Sequence, residues 1–219
     1  STPKPSSAAS DVYKRQGNES AKIIYKRGRP WSGEWTTWYP DGSKKESGSY
    51  KDGEKQSPWT AWYDNGQKKY VVHYKDNLEH GLYTEWNKDG RLTKDIEYDL
   101  GNPVSEYLVQ YQGEGYVEVN RRNGELSGSW IKWYANGKKE TEIKYVNGQI
   151  SGPVSYWYDN ESRKRVENYL NNVLNGSVIK WKRTGEKKLK QVYGQGTLKE
   201  QKEYKLYARS KYSQHRYKT

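Results

Sequence analysis

Three histidines, His73, His80 and His215, are the only side chains in the chain whose ordinary titration falls near neutrality. His73 and His80 are close in sequence, which would suit a metal site or an acid–base pair. Neither sits in a carboxylate-plus-histidine motif, so they read as polar substitutions at repeat positions. Asp41, Asp52, Asp64, Asp76 and Asp89 recur beside glycine or asparagine, where aspartate supports a turn rather than catalysis. With no cysteine, thiol catalysis, disulfides and thiolate metal sites are excluded. There is no Walker-type loop, nucleophile elbow or zinc motif. The chemistry left to these residues is binding, and the expectation is a non-enzyme with no catalytic, cofactor or metal residues.

Binding chemistry resides in rings and lysines. The 219 residues include 10 Trp and 22 Tyr but no Phe or Met, and only 32% are hydrophobic. A mean hydropathy of -1.31 would ordinarily mean disorder. Disordered chains lack aromatics, however, and here Trp and Tyr make up 15%. Large amphipathic rings bury area while keeping a polar edge wet, which suits a structure one sheet thick. No stretch approaches the roughly 18 apolar residues of a membrane-spanning helix.

What positions the rings is a repeat. Aligned on a Tyr followed three residues later by Gly or Asn, units start at Tyr25, Tyr50, Tyr74, Tyr98, Arg121, Tyr145, Tyr169 and Tyr193, close to 24 residues apart. Periods of about 20–50 residues mark stacked repeats. A first turn recurs as Arg27-Gly28, Asp52-Gly53, Asp76-Asn77, Leu100-Gly101, Asn123-Gly124, Asn147-Gly148 and Asn171-Asn172. A second recurs as Asp41-Gly42, Asn65-Gly66, Asp89-Gly90, Asn136-Gly137, Asn160-Glu161 and Thr184-Gly185. Both read as tight type I′ hairpin turns, which need positive φ at two successive residues. The fold predicted is all-β, an elongated single-layer antiparallel β-meander of seven to eight tandem hairpins of about 24 residues.

Between the turns, Trp38, Trp62, Trp86, Trp133, Trp157 and Trp181 occupy equivalent places and should stack as a structural ladder. Val72, Ile96, Ile143 and the starting tyrosines are expected on the same face. The fourth unit reads as an interruption, with Gln110 at the ladder position and a bulge or bend at Gly113-Glu114-Gly115. The other face would carry Tyr39, Trp59, Tyr63, Trp130, Tyr134 and Tyr158 as a candidate partner-binding surface, rich in the ring types that dominate interfaces. Packing of both rows within the array is the competing reading. Lys44, Lys45, Lys68, Lys69, Lys138, Lys139, Lys187 and Lys188 follow the second turns. They form either a candidate anion-binding edge or a charged edge that blocks sheet-to-sheet pairing.

The unit Gly128-Ser129-Trp130-Ile131-Lys132-Trp133-Tyr134-Ala135-Asn136-Gly137-Lys138-Lys139-Glu140, followed by Tyr145-Val146-Asn147-Gly148, resembles the MORN-variant repeat of bacteria. The resemblance runs from Ile24 to Tyr193. It implies a twisted antiparallel meander without catalytic residues. It further implies a scaffold, with antitoxin-like neutralisation of a toxin protein or contact with anionic lipid as its associated roles.

The ends differ from the array. Reverse translation of Ser6 to Gln16 reads as a transposase-type sequencing adapter, so residues 1–16 are expected to be translated adapter and 17–23 a linker. Setting the adapter aside lowers the net charge from +12 to +10. The array is expected over 24–207, its eighth unit acting as a polar cap, with a basic tail over 208–219. The functional expectation is a monomeric, noncatalytic scaffold that binds a protein partner. The alternative is an anionic-lipid binder, and nucleic acid is disfavoured because acidic residues are interleaved throughout. No localisation follows from these residues.

Overall fold

Asparagine, aspartate and glycine at the first turns fix the architecture by accepting left-handed backbone. In the computed structural model, which describes residues 23–205, all eight first turns have positive φ at both central residues. Examples are Asp52 (54°) with Gly53 (85°) and Asn147 (47°) with Gly148 (72°). This is the type I′ geometry whose twist matches that of the flanking strands. The expected adapter (1–16), the expected basic tail (208–219) and His215 lie outside the described residues.

The strands, in chain order, are β1 (Ile23–Lys26), β2 (Arg29–Trp38), β3 (Lys44–Lys51), β4 (Glu54–Trp62), β5 (Lys68–Lys75), β6 (Leu78–Trp86), β7 (Leu92–Asp99), β8 (Asn102–Gln112) and β9 (Gly115–Arg122). They continue as β10 (Glu125–Trp133), β11 (Lys139–Val146), β12 (Gln149–Ile150), β13 (Gly152–Trp157), β14 (Arg163–Leu170), β15 (Val173–Leu174), β16 (Gly176–Trp181), β17 (Lys187–Gly194) and β18 (Thr197–Glu203). Each pairs antiparallel with its sequence neighbours, giving one open meander. β12 and β13 are two parts of one lane against β11, as are β15 and β16 against β14. Seven full hairpins therefore lie between the single strands β1 and β18.

The second turns are not type I′. Gly42 N–H donates to the Tyr39 carbonyl at 3.0 Å and Tyr39 N–H to the Ser43 carbonyl at 2.8 Å, a bonding pattern repeated in five other hairpins. Only the third loop residue is left-handed: Gly42 (87°), Gly66 (82°), Gly90 (77°), Gly137 (76°), Glu161 (67°) and Gly185 (91°). In four of these loops the preceding Asp or Asn instead accepts a backbone N–H two residues on, as Asp41 does from Ser43 and Asn65 from Gln67. Each of these loops is followed by a bulge at the ladder tryptophan. Ala61 pairs with Tyr70 but Trp62 pairs with Lys68, leaving Lys69 unopposed.

The pairing register also corrects the expected faces. Trp59 pairs with Val72, Tyr83 with Ile96 and Trp130 with Ile143. These residues share a face with the starting tyrosines, and the ladder tryptophans, three residues on, point to the opposite face. The core lies on the Trp59 side: Trp59 is 1% exposed, Val154 2% and Val178 1%. Trp59 is packed by Trp35 and Tyr50, each with ring centroids 5.2 Å away. It lies across Gly48, where a Cβ would come within 2.3 Å of the indole.

The fourth hairpin holds a second correction. Leu108 pairs with Val119 as Trp59 does with Val72, so the ladder position three residues later is Tyr111 and not Gln110. β8 and β9 pair continuously from Ser105–Arg122 to Gln112–Gly115 with no bulge. A two-residue turn with φ 60° at Gly113 closes this hairpin. The expected bend at Gly113–Gly115 is therefore a regular hairpin end.

Candidate interaction surface

Because every hairpin repeats one register, equivalent side chains align across the sheet. On the ladder face the residue directly opposite each ladder ring is cationic in five hairpins: Trp38–Lys44, Trp62–Lys68, Trp133–Lys139, Trp157–Arg163 and Trp181–Lys187. First and second strands alternate in the sheet, so rings and cations alternate as well, about 4.8 Å apart. Lys139 Nζ lies 5.9 Å from the ring centroids of both Trp133 and Trp157, and Lys44 lies 6.0 Å from Trp38. These distances are within cation–π range.

The charge is missing at the middle of this stripe. Leu92 stands opposite Trp86, and Tyr111 stands opposite Tyr116. Tyr116 meets Tyr111 in a tilted contact at 5.8 Å and stacks on Trp133 at 5.6 Å. The ladder therefore continues through the fourth hairpin as tyrosine. Gly115 permits the approach, since a Cβ there would meet the Trp133 carbonyl oxygen at 2.6 Å.

The expected partner-binding rings turn out to be occupied. Trp59 is buried, a correction to its expected exposure. Trp130 is half-buried on the same face. The tyrosines after the ladder residues tie each hairpin to the next. Tyr39 donates to the Trp62 carbonyl at 2.9 Å, Tyr63 to that of Trp86 at 3.0 Å, Tyr134 to that of Trp157 at 2.9 Å and Tyr158 to that of Trp181 at 3.2 Å. Asn65 donates to the Lys88 carbonyl and Asn136 to that of Asp159, spanning the same step.

The expected lysine edge divides between two faces. Lys44 and Lys68 oppose ladder tryptophans, whereas Lys45 and Lys69, at the bulge, lie 5.8 Å from the rings of Tyr39 and Tyr63. Lys138 and Lys139 are one position out of phase with those pairs. Lys138 joins Glu161 at 3.1 Å, and Lys139 joins Glu142 at 2.9 Å. Lys187 opposes Trp181, and Lys188 follows it at the bulge. Among the described residues, Lys44, Lys68, Arg163 and Lys187 are exposed and form no ion pair.

Three segments match the MORN repeat variant: residues 31–52, 55–76 and 126–147. This is narrower than the stretch over which the resemblance runs, and the geometry gives the reason. Only these MORN-matching hairpins carry Trp at both positions, as Trp35/Trp38, Trp59/Trp62 and Trp130/Trp133. The others replace the inner ring by Tyr83, Leu108, Val154 or Val178. Each matched MORN segment ends on the first residue of a type I′ turn, Asp52, Asp76 or Asn147. No curated protein gives a significant match to the chain.

Polar networks lie on the core face of the array. Tyr83 and Lys94 both donate to Glu85, at 2.8 and 2.9 Å. Burial would raise the Glu85 carboxyl, but these two bonds outweigh it and hold the group below its ordinary range. Burial, followed by a 2.7 Å bond to Glu46, pushes the Tyr70 phenol up. Glu167, 3% exposed, pairs with Arg165 and accepts from Tyr156 and Tyr169. His80 Nδ1 sits 3.2 Å from Asp99, both exposed. No group of three or more His, Cys, Asp or Glu among the described residues could hold a metal ion.

Sequence reasoning missed Arg163, Tyr111 and Tyr116. Each tryptophan of the stripe precedes the residue opposite it by six positions, an invariant spacing that doublet counting overlooks.

Proposed function

We propose that the chain is a noncatalytic repeat scaffold that binds a protein partner along the ladder face. The observation that supports this most directly is the pairing of a half-exposed Trp with a cation in five of the seven hairpins, four of those cations being free of ion pairs. Trp and Arg dominate protein interfaces because they combine large apolar area with directional charge. The Tyr39, Tyr63, Tyr134 and Tyr158 hydroxyls are taken up by the array, which favours the stripe over these rings as the binding surface. A toxin protein is one partner class implied by the resemblance, and co-expression with a candidate toxin tests that narrower role.

A photo-crosslinking residue at position 68 faces the stripe, and one at position 69 faces away from it. The expected result is a protein adduct from position 68 and none from position 69. Adducts from neither position, or equally from both, would overturn the reading. The lipid alternative predicts flotation with anionic liposomes that is lost at high salt. It has weaker support, because the lysine doublets divide between faces and Lys138 and Lys139 are already paired.

A further inference from the structure

Resting on the scaffold reading, we infer that the partner presents an extended segment with acidic ends and an apolar or aromatic middle, laid across the hairpins along the ladder stripe. The charge layout of the stripe carries the inference. Its first block offers Lys44 and Lys68, and its last block offers Arg163 and Lys187, all exposed and free of ion pairs. Between them, Trp86, Leu92, Tyr111, Tyr116 and Trp133 form an uncharged run.

Acidic side chains on this face follow the inverse pattern. In the second strand of each hairpin, they share the ladder face only near the middle, as Asp95 and Glu97 on β7, Glu118 on β9 and Glu142 on β11. Glu46 on β3 and Glu167 on β14 lie on the core face instead. β5 and β17 have no acidic residue. The stripe itself is thus positive at both ends and uncharged at its centre, with Asp95, Glu97 and Glu118 beside that centre; in the flanking row of the same face, Glu34 lies beside the first block and Lys144 pairs with Glu142.

A uniformly charged polyanion, such as single-stranded nucleic acid or an acidic polysaccharide, would meet repulsion over the central third. A segment acidic only at its ends avoids it. Beside the centre, Leu82, Asp95, Tyr107, Asn120 and Arg122 line an open groove of about 440 Å³. Leu82 is 50% exposed there.

Lane spacing gives the dimensions. From β2 to β17 the stripe runs about 60 Å, which an extended chain covers in roughly 18 residues. The uncharged centre, β6 to β10, is about 19 Å long, or roughly six residues.

Two synthetic peptides of equal composition test this on the full chain, with binding measured by fluorescence anisotropy at low and high salt. One has six Asp/Glu at each end around six Leu, Val and Tyr. The other has the same residues permuted, with acids in the middle and apolar residues at the ends. The first is expected to bind at least about tenfold tighter, with salt weakening it. The double variant K68E/R163E is expected to lose about tenfold. K45E/K69E, which reverses two exposed charges at the bulges on the other face, is expected to bind as the parent does. Circular dichroism confirms that both variants fold, and K68Q/R163Q gives a milder check.

Equal binding of the two peptides, no binding of either, or equal loss in both double variants would overturn the inference. A crosslinked partner lost in K68E/R163E while the peptides bind alike would leave the scaffold reading standing and remove the acid–apolar–acid pattern. No adduct and no peptide binding together would remove both.

Discussion

Single residues in this sheet bear unequal loads, and neighbouring tryptophans show it. Trp59 is enclosed by Trp35, Tyr50 and Gly48, whereas Trp62, three positions on, is half-exposed. Trp59→Ala is expected to cost about 3–5 kcal/mol in urea unfolding, as for other buried aromatic truncations. Trp62→Ala should cost clearly less, and equal losses would contradict the face assignment. Glu161 holds a left-handed φ of 67° where the matching loops mostly have glycine. Glu161→Gly is expected to stabilise by about 0.5–1 kcal/mol, offset slightly by loss of the exposed Lys138 pair. Glu142 titrates against burial, which would raise it, and against Lys139 and Lys144, which prevail and lower it. Its folded value thus lies below its unfolded one, so its stabilisation is present above the ordinary carboxylate range and lost as pH falls through that range. Melting temperature should drop between pH 6 and pH 3 (roughly one unit or more either side of the ordinary value), less steeply in Glu142→Gln than in the parent.

At the scale of elements, hairpins are held by pairing and then tied to one another at their tips. Tyr63→Phe and Tyr134→Phe each remove one hydroxyl bond to the next hairpin. Each is expected to cost about 1 kcal/mol by chemical denaturation, without loss of sheet signal. The ties stop where Asn87 and Gln112 replace the tyrosine, leaving the fourth hairpin joined by strand pairing, with one weaker bond from Tyr111 to the Leu92 carbonyl at 3.3 Å. The hairpins and first turns were legible in the sequence because Asn-Gly and Asp-Gly accept two left-handed residues in succession. The second turns were misread because the same dipeptide also closes a longer loop in which only glycine is left-handed. The ladder face was misassigned for a related reason. Side-chain direction depends on pairing partners across the strand, which periodicity along the chain does not state. Gln110 was placed in the ladder because the length change in the fourth unit falls inside β8 and its turn, where a fixed period has no marker.

For the molecule as a whole, stability accumulates through neighbours, since a lone hairpin has no closed core. β18 finishes the array with a strand exposed along its whole length and rich in Lys, Glu and Gln. Such an edge resists pairing with other sheets. Removing the chain from Gly196 onward would uncover β17, whose Leu189 and Val192 pair with Glu203 and Glu200 of the cap. Greater light scattering from the shortened protein than from the parent at equal concentration, reporting association, is the expected outcome.

The tyrosine pair at Tyr111 and Tyr116 has one more consequence. A strictly periodic track is degenerate: an occupant displaced by one repeat, about 10 Å, meets the same side chains and binds equally well. The third and fourth hairpins, which lack the cation, and the fourth, which lacks the bulge as well, break that periodicity. For the occupant proposed above, they would act as an index mark, giving it one best position among several near-equivalent ones and converting a slippery rail into an addressed one.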